Sequence, residues 1–187
     1  HDNYGDISYT IVAPADELPG DLMESYDLLC APILDAFERM GVPASFADEE
    51  LPAVHQPCCY LRSIHPAHDI LADGRKISGN AQYRQRDAVI QHGSLSFDLA
   101  TEDHLGVFSD PQTTPTEFRE RVTSIREHAD VTREDAVDAL ETALAEWADA
   151  DEGAWREDEL DRAGGLAAEK YGTDDWTRRR TVPDAVE

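Results

Sequence analysis

The sequence predicts an α+β fold, with a mixed, largely antiparallel sheet flanked by helices and a helical C-terminal part. Two observations support this. Short apolar and β-branched runs, separated by turn residues, fill much of the first hundred positions, and helical periodicity with recognisable N-caps fills the last third. Strands followed by helices are typical of α+β proteins. A length of 187 residues is enough for one ordinary domain with a buried core.

The N-terminal part predicts one strand and one long helix. Residues 7–12 alternate and are rich in β-branched side chains, which predicts a strand ending at Pro14. Apolar side chains then recur with a helical period between Asp21 and Met40. Asp21 is a suitable N-cap, and Gly41 is placed to end the helix. We therefore expect an amphipathic helix that packs against the sheet.

The middle of the chain predicts the rest of the sheet. Three prolines break residues 42–60, which favours a loop or a short edge strand. Short apolar runs follow over residues 58–99, and the dipeptide Asp73–Gly74 separates two of them. Asp-Gly between strand-like runs is a strong hairpin signal. We expect antiparallel pairing in this region.

The last third predicts helices. Thr114 and Thr132 each stand three residues before an acidic residue, which is the pattern of a capping box. Residues 157–171 are helix-like, although Gly164–Gly165 interrupts them. We expect two parts: a sheet-bearing catalytic portion over residues 1–112, and a helical segment over residues 113–187 that packs on it or forms a small accessory unit.

Charge excludes several function classes. Forty acidic residues oppose sixteen basic ones, so the net charge is −24. Such a balance argues against binding to nucleic acid or to anionic membranes. The acids are scattered, and only two basic residues are lysine, Lys76 and Lys170. Together with the absence of a membrane span or signal peptide in the sequence, this predicts a cytoplasmic protein adapted to concentrated salt.

One short segment of this acidic chain contains no acidic residue. Residues 74–86 carry four basic side chains and no acidic one, and two glycines let the backbone approach a ligand. A lysine beside a turn is a compact charge suited to a phosphate or a developing oxyanion. The alternative is an exposed hairpin with solvated arginines. Ten residues further on, His92–Gly93 interrupts an apolar strand, either as a structural pair or near a ligand.

Cysteine and histidine cluster between residues 55 and 68. Three cysteines in the whole chain, an odd number, make a disulfide framework improbable. The cluster lacks paired Cys-x-x-Cys spacing, so we expect no metal site. A nucleophilic cysteine activated by a histidine or lysine, or a buried thiol, remain as alternatives.

The segment Gly74 to Gln82, followed by Gln91-His92-Gly93-Ser94, resembles the signature of the lipoate–protein ligase and octanoyltransferase superfamily, whose fold is shared with biotin–protein ligases. Weaker resemblance covers nearly all of the chain. In that family the lysine matching Lys76 contacts the acyl carbonyl and, in ligases, the phosphate of the acyl-adenylate. The resemblance implies an acyl- or adenylate-binding set: Arg75, Ser78, Gly79, Asn80, Ala81, Gln82, His92 and Gly93.

Two reactions fit this resemblance. A lipoate–protein ligase would use ATP with Mg to activate lipoate and transfer it to an acceptor lysine, and this is our first expectation. An octanoyltransferase would carry octanoyl from acyl carrier protein on a cysteine, and Cys59-Tyr60 resembles the position of that nucleophile. A lysine partner would lower the pKa of that cysteine. The acceptor would be a lipoyl domain of a 2-oxoacid dehydrogenase complex or the glycine-cleavage H protein.

A third alternative is a non-catalytic or split-ligase subunit. Family members carry a glycine-rich motif before a His-Asp pair, and the sequence starts at such a pair, His1-Asp2. We therefore expect a fragment that lacks the N-terminal glycine loop.

Overall fold

The computed structural model describes residues 5–181. It contains two compact units, His1–Asp149 and Ala150–Glu187. The expected functional division at residues 112 and 113 stays a prediction. Among the described residues, no helix is long and apolar enough to cross a membrane.

The first unit is built on one five-stranded sheet in the order β1-β5-β4-β3-β2, and every neighbouring pair in it is antiparallel. This confirms the predicted α+β class. The strands are β1 (Asp6–Pro14), β2 (Ala44–Phe46), β3 (Asp69–Ala72), β4 (Arg75–Arg84) and β5 (Ala88–Ser96).

The hairpin between β3 and β4 is closed by the two predicted turn residues. Asp73 and Gly74 have φ values of 49° and 74°, the left-handed conformation that a tight two-residue hairpin requires. Immediately after the turn the register shifts, because Leu71 pairs with Lys76 whereas Ile70 pairs with Ser78. Ile77 is therefore the extra residue of a β-bulge.

Helix α1 (Leu22–Arg39) covers one face of the sheet. Its N-cap is Asp21, as predicted, whose carboxylate accepts hydrogen bonds from the backbone N–H of Met23 and Glu24 at 2.8 and 3.2 Å. Gly41, with φ +75°, follows its end. The buried residues of α1 include Ile33 and Phe37, which share the main core with the strand residues Ile7, Ile70, Ile77 and Leu95.

Four more helices complete the first unit: α2 (Thr101–Gly106), α3 (Pro115–Arg121), α4 (Ile125–His128) and α5 (Arg133–Ala148). Both predicted capping boxes are present, at Thr114 before α3 and at Thr132 before α5. Helix α5 adds Ala136, Leu140 and Ala143 to the main core. Phe118 of α3 belongs to a second, smaller apolar cluster with Tyr60 and Leu61.

The second unit is helical. Helix α6 (Glu157–Leu166) runs through both glycines at 164 and 165, so this pair does not end it. Two π-helical turns follow, Ala167–Tyr171 and Asp175–Arg179. The Lys170 Nζ lies 5.1 and 5.2 Å from the ring centres of Tyr171 and Trp176, a small cation–π cluster.

Candidate active site

A cavity of about 280 Å³ opens beside strands β3, β4 and β5. A 3₁₀ turn (Cys59–Leu61) forms its other wall. Most of its lining residues are polar by type, and together they are Cys59, Tyr60, Arg62, Ser63, His68, Asp69, Lys76, Ile77, Ser78, Gly79, Asn80, Ser94 and Ser96. A thiol, an ammonium group and several hydroxyls therefore share one concave site, which is the usual setting for ligand binding.

Cross-strand register explains which face of the sheet forms the cavity wall. Residues directly opposite one another share a face, and Gly79 pairs with Asp69 on one side and Ser94 on the other. The adjacent pairs, such as Ser78 with Leu95, belong to the alternate face, where Leu95 joins the main core under α1. Asp69, Gly79 and Ser94 thus lie on the second face of the sheet, whereas the lining residues Ser78 and Asn80 belong to the α1 face.

Lys76 is held by a buried ion pair. Its Nζ lies 2.7 Å from Oδ1 of Asp69, and the two side chains are 11% and 1% exposed. The second Asp69 oxygen, Oδ2, accepts a hydrogen bond from the backbone N–H of His65 at 2.8 Å. Both carboxylate oxygens are therefore engaged, as a buried charge requires.

Two opposing influences act on the pKa of Asp69. Burial raises it, but the contacts with the neighbouring His68 ring and with the Lys76 ammonium outweigh that effect, and the pKa lies below its usual value. The carboxylate therefore stays ionised at neutral pH and orients the Lys76 ammonium in the cavity.

Gly79 leaves the space that this ion pair occupies. A Cβ atom added at residue 79 would lie 3.0 Å from Cε and 3.1 Å from Nζ of Lys76, and 3.4 Å from Oδ1 of Asp69. These are tighter than ordinary van der Waals contacts. The glycine of the predicted motif is thus explained by close packing against the lysine, since its backbone is an ordinary strand.

Cys59 is an exposed residue of the cavity wall. Protein atoms around the thiol raise its pKa above the ordinary value, and the nearby Lys76 charge offsets only part of this effect. The expected effect of the lysine is confirmed, because the Lys76 charge lowers the Cys59 pKa. The net pKa is nevertheless raised, because the effect of burial is larger. The next residue, Tyr60, donates a hydrogen bond from its hydroxyl to Asp6 of β1.

Cys58 is a different kind of cysteine. It is completely buried, and its Sγ lies 3.3 Å from Nε2 of His104, among the aromatic rings of Tyr60 and Phe118. Burial raises the pKa of its thiol. Of the two adjacent cysteines, only Cys59 reaches the cavity.

A buried polar network lies on the α1 side of the sheet. The Tyr9 hydroxyl donates to Oδ1 of Asn80 at 2.6 Å and accepts from Nε2 of Gln91 at 3.1 Å. Asn80 in turn donates from Nδ2 to the backbone carbonyl of His68 at 2.8 Å. Gln91 also accepts a hydrogen bond from Gln82 at 3.0 Å. The network fixes the segment that leads into Asp69.

The predicted binding set divides into two groups. Cys59, Lys76, Ser78, Gly79 and Asn80 line the cavity.

The others lie among different partners. Arg75 pairs with Glu127 at 2.7 Å, and Gln82 belongs to the buried network. His92 Nδ1 lies 3.0 Å from the Thr10 hydroxyl, and Ala81 is its cross-strand partner. Gly93 makes room for Asn80 and Tyr9, because an added Cβ would overlap both side chains. Their proposed contact with an acyl group or adenylate stays a prediction, and the His1-Asp2 pair lies outside the described residues.

Sequence reasoning missed the lining residues Arg62, Ser63, Asp69 and Ser96, and it gave no site role to three others that it had noted: Tyr60, His68 and Ser94. Asp69 is the most important of them, and the sequence holds a usable signal for it. It is an acid within a strand-like apolar run, where an unpaired carboxylate would be costly. Over residues 5–181, no group of three or more His, Cys, Asp and Glu side chains could hold a metal ion.

Comparison with known proteins gives a consistent result. The model of the lipoyl protein ligase A/B catalytic domain matches residues 1–145. Among curated proteins, the octanoyltransferase LipM of Bacillus subtilis (strain 168) is 28% identical over 193 residues, which cover 94% of this chain and 69% of that protein.

Solved structures show the same fold. A bi-partite lipoate protein ligase from Thermoplasma acidophilum, from a structural analysis of its lipoylation system and E2 lipoyl domain, superposes with a TM-score of 0.72 at 17% identity. This covers 98% of our chain and 68% of that one. A lipoate-protein ligase A bound with ATP gives 0.67 at 21% identity, over 92% and 64% of the two chains. Our chain thus spans about two thirds of the length of these proteins. It belongs to the lipoyl protein ligase A/B catalytic domain family.

Proposed function

We propose that this protein transfers an octanoyl group from acyl carrier protein to a lysine of a lipoyl-domain acceptor, with Cys59 as the intermediate carrier. The observation that carries the proposal is that an exposed thiol and an ion-paired lysine line the same cavity. The sequence alone favoured the ATP-dependent ligase. The position of Cys59, together with likeness to a protein named octanoyltransferase, favours the transferase.

In the first step, the Cys59 thiolate attacks the carbonyl carbon of the carrier thioester. A carbon–sulfur bond forms to Cys59, the bond to the carrier sulfur breaks, and the carrier thiolate leaves and takes up a proton. The Lys76 ammonium, kept in place by Asp69, stabilises the negative charge that develops on the carbonyl oxygen.

In the second step, the neutral amine of the acceptor lysine attacks the same carbonyl carbon. An amide bond forms, the Cys59 thiolate leaves, and the amine loses one proton. Ser94 and Ser96 of β5 offer hydrogen bonds to a bound acyl carbonyl or amide. The acceptor is a lipoyl domain of a 2-oxoacid dehydrogenase complex or the glycine-cleavage H protein.

The ligase reaction is the second candidate. Its support is the likeness to an ATP-bound ligase and the Lys76 charge, which suits the phosphate of an acyl-adenylate. ATP would bring Mg with it. Asp69, the acidic residue of the described lining, already has both oxygens engaged, so it does not offer Mg a vacant carboxylate oxygen. No step of the proposed reaction uses a metal ion.

A split enzyme is the third candidate, supported by the bi-partite organisation of the Thermoplasma protein. We propose a cytoplasmic enzyme working in concentrated salt, on the support of the −24 charge and its few lysines.

The test offers octanoyl-carrier protein in one reaction, and lipoate with ATP and Mg in another, each with an acceptor lipoyl domain. Intact-mass analysis then follows both proteins. We expect the acceptor to gain an octanoyl group in the first reaction, and trapped enzyme to carry one octanoyl group on Cys59. Cys58→Ala is the matched control and should still form this thioester, whereas Cys59→Ala should not. Acceptor modification only with lipoate and ATP would establish the ligase instead.

A further inference from the structure

The 3₁₀ turn that presents Cys59 also presents a second cavity residue. Such a helix has about three residues per turn, so side chains three positions apart lie above one another. Cys59 begins the turn and Arg62 is its C-cap. The two residues between them, Tyr60 and Leu61, are buried, whereas Cys59 and Arg62 are both exposed. The thiol and the guanidinium therefore occupy the same side of the turn, and both line the cavity.

Within residues 5–181, the Arg62 guanidinium makes one hydrogen bond to the protein. Its Nε donates a hydrogen bond to the backbone carbonyl of Gln56 at 3.2 Å. Within residues 5–181 it has no carboxylate at ion-pair distance, although the chain is rich in acids and many of its arginines are paired with one. The Gln56 contact anchors the side chain while its two terminal nitrogens can face an anion.

We propose that Arg62 is a positioning residue for Cys59: its charge stabilises the Cys59 thiolate that attacks the acyl carbonyl. This inference rests on the proposed function, in which Cys59 carries the acyl group. It gives the site two cations on opposite walls of the cavity, Lys76 from the sheet and Arg62 from the turn. Arg62 acts through the sulfur, whereas Lys76 acts on the acyl carbonyl.

The charges around the thiol support this division of roles. A nearby positive charge attracts the thiolate, and the attraction is stronger in a less polar site than in water. Packing around the thiol raises the Cys59 pKa, and both Lys76 and Arg62 oppose that rise. Among the described residues, Asp6 of β1 raises the Cys59 pKa through its charge, Cys58 is adjacent, and the titratable residues Tyr60, His68 and Asp69 line the same cavity.

The experiment measures the reactivity of Cys59 itself. The full chain is alkylated with iodoacetamide from pH 6 to pH 10, and peptide mass spectrometry follows the Cys59 peptide. Cys30 and Cys58 are completely buried and serve as internal references. The variants are Arg62→Gln, Arg62→Lys as the conservative replacement, and Arg86→Gln. The last removes the same charge from an exposed position outside the cavity lining.

We expect Arg62→Gln to slow alkylation at pH 7.5 by roughly two- to fivefold and to shift the pH profile upward, as loss of one nearby charge predicts. Arg62→Lys should restore most of the rate, and Arg86→Gln should leave it unchanged. Because Arg62 is exposed, the difference should shrink as salt rises from about 0.1 M to about 1 M, where the Debye length falls from roughly 10 Å to 3 Å.

Equal alkylation of Arg62→Gln and the unchanged protein across this pH range would overturn the inference. An equal loss in Arg62→Lys would do the same, because it would indicate a packing role. Alkylation does not require acyl transfer. Slower alkylation in Arg62→Gln together with no octanoyl transfer by the unchanged protein would therefore refute the proposed function and leave the electrostatic role standing.

Discussion

Lys76 Nζ lies 2.7 Å from the Asp69 carboxylate, whose side chain is almost entirely buried. The pair joins two adjacent strands across the turn that connects them, and Gly79 leaves room for it. A lysine near a cavity could adopt many rotamers, and this carboxylate selects one of them. The contact thus connects the stability of the sheet with the chemistry of the cavity, and it leads to our first prediction.

Replacement of Lys76 by methionine should abolish acyl transfer and destabilise the fold. The change leaves the Asp69 charge buried without its partner, which costs about 3–5 kcal/mol. Urea unfolding and the acceptor-mass assay measure the two effects. In the double variant Lys76→Met, Asp69→Leu, most of the stability should return without activity. Lys170→Met, which changes the other lysine of the chain, should retain both. Full activity in Lys76→Met would remove this residue from the mechanism.

A methyl group at position 79 should impair catalysis more than stability. In Gly79→Ala the new Cβ lies 3.0 Å from Lys76 Cε, and the flexible end of the lysine moves to relieve this contact. Displacement of a catalytic group by about 1 Å lowers a rate by as much as 100-fold, so kcat should fall by at least roughly tenfold. Gly106→Ala, which meets nothing within 4 Å, is the matched control. A large loss of stability without a loss of kcat would contradict the assigned role.

Removal of the Tyr9 hydroxyl should lower the free energy of unfolding, because this hydroxyl is part of the buried network on the α1 side of the sheet. Tyr9→Phe deprives Asn80 Oδ1 and Gln91 Nε2 of a buried partner, which costs about 1–3 kcal/mol. Tyr83→Phe provides the comparison, because Tyr83 is 61% exposed and its hydroxyl accepts only a surface contact from Gln85. Thermal and urea unfolding should separate the two variants clearly. If both lose the same stability, the buried network is not a major support of the sheet.

The reactivity of Cys59 should increase as the pH rises above 7. Packing around the thiol raises its pKa, so at any neutral pH less thiolate is present than in an ordinary cysteine. Alkylation and octanoyl transfer should therefore both rise from pH 7 upward, with a midpoint above the usual value of about 8.5. Cys58→Ser should leave the profile in place. A rate that is already maximal at pH 7 would show a preformed thiolate and contradict this prediction.

The net charge of −24 predicts a stability that depends on salt. Repulsion between surface acids acts over about 10 Å at 0.1 M salt and about 3 Å at 1 M. The free energy of unfolding should therefore increase as KCl rises into the molar range. A neutral osmolyte at matched water activity should give a smaller increase, since it does not screen charge. Equal stability in dilute and concentrated KCl would exclude adaptation to salt.

Local chemistry explains which parts of the fold could be predicted from sequence. The Asp73–Gly74 turn, the Asp21 N-cap and the capping boxes at Thr114 and Thr132 each follow from side chains a few positions apart. The pairing of β1 with β5 joins the beginning of the chain to residues 74 to 90 positions away. No local pattern specifies such a contact.

The candidate site was only partly predictable for similar reasons. Lys76 stood out because its surroundings lack acid, and Cys59 because of a family motif. Asp69 was overlooked among forty acidic residues, since its partner becomes apparent only when β3 pairs with β4. His92 and Ala81 belong to the same motif, yet they lie further along the strands, where the described cavity lining does not extend.

The two-residue β3–β4 turn also constrains how this family can vary in length. Lys76 is the second residue after the turn, and the bulged residue Ile77 beside it belongs to the core. A single insertion between Gly74 and Lys76 would move the lysine into the place of Ile77 and put its ammonium among apolar core side chains. Natural relatives should therefore lengthen or shorten their other loops far more freely than this one, because a change of length here would displace the lysine that we propose acts on the acyl carbonyl.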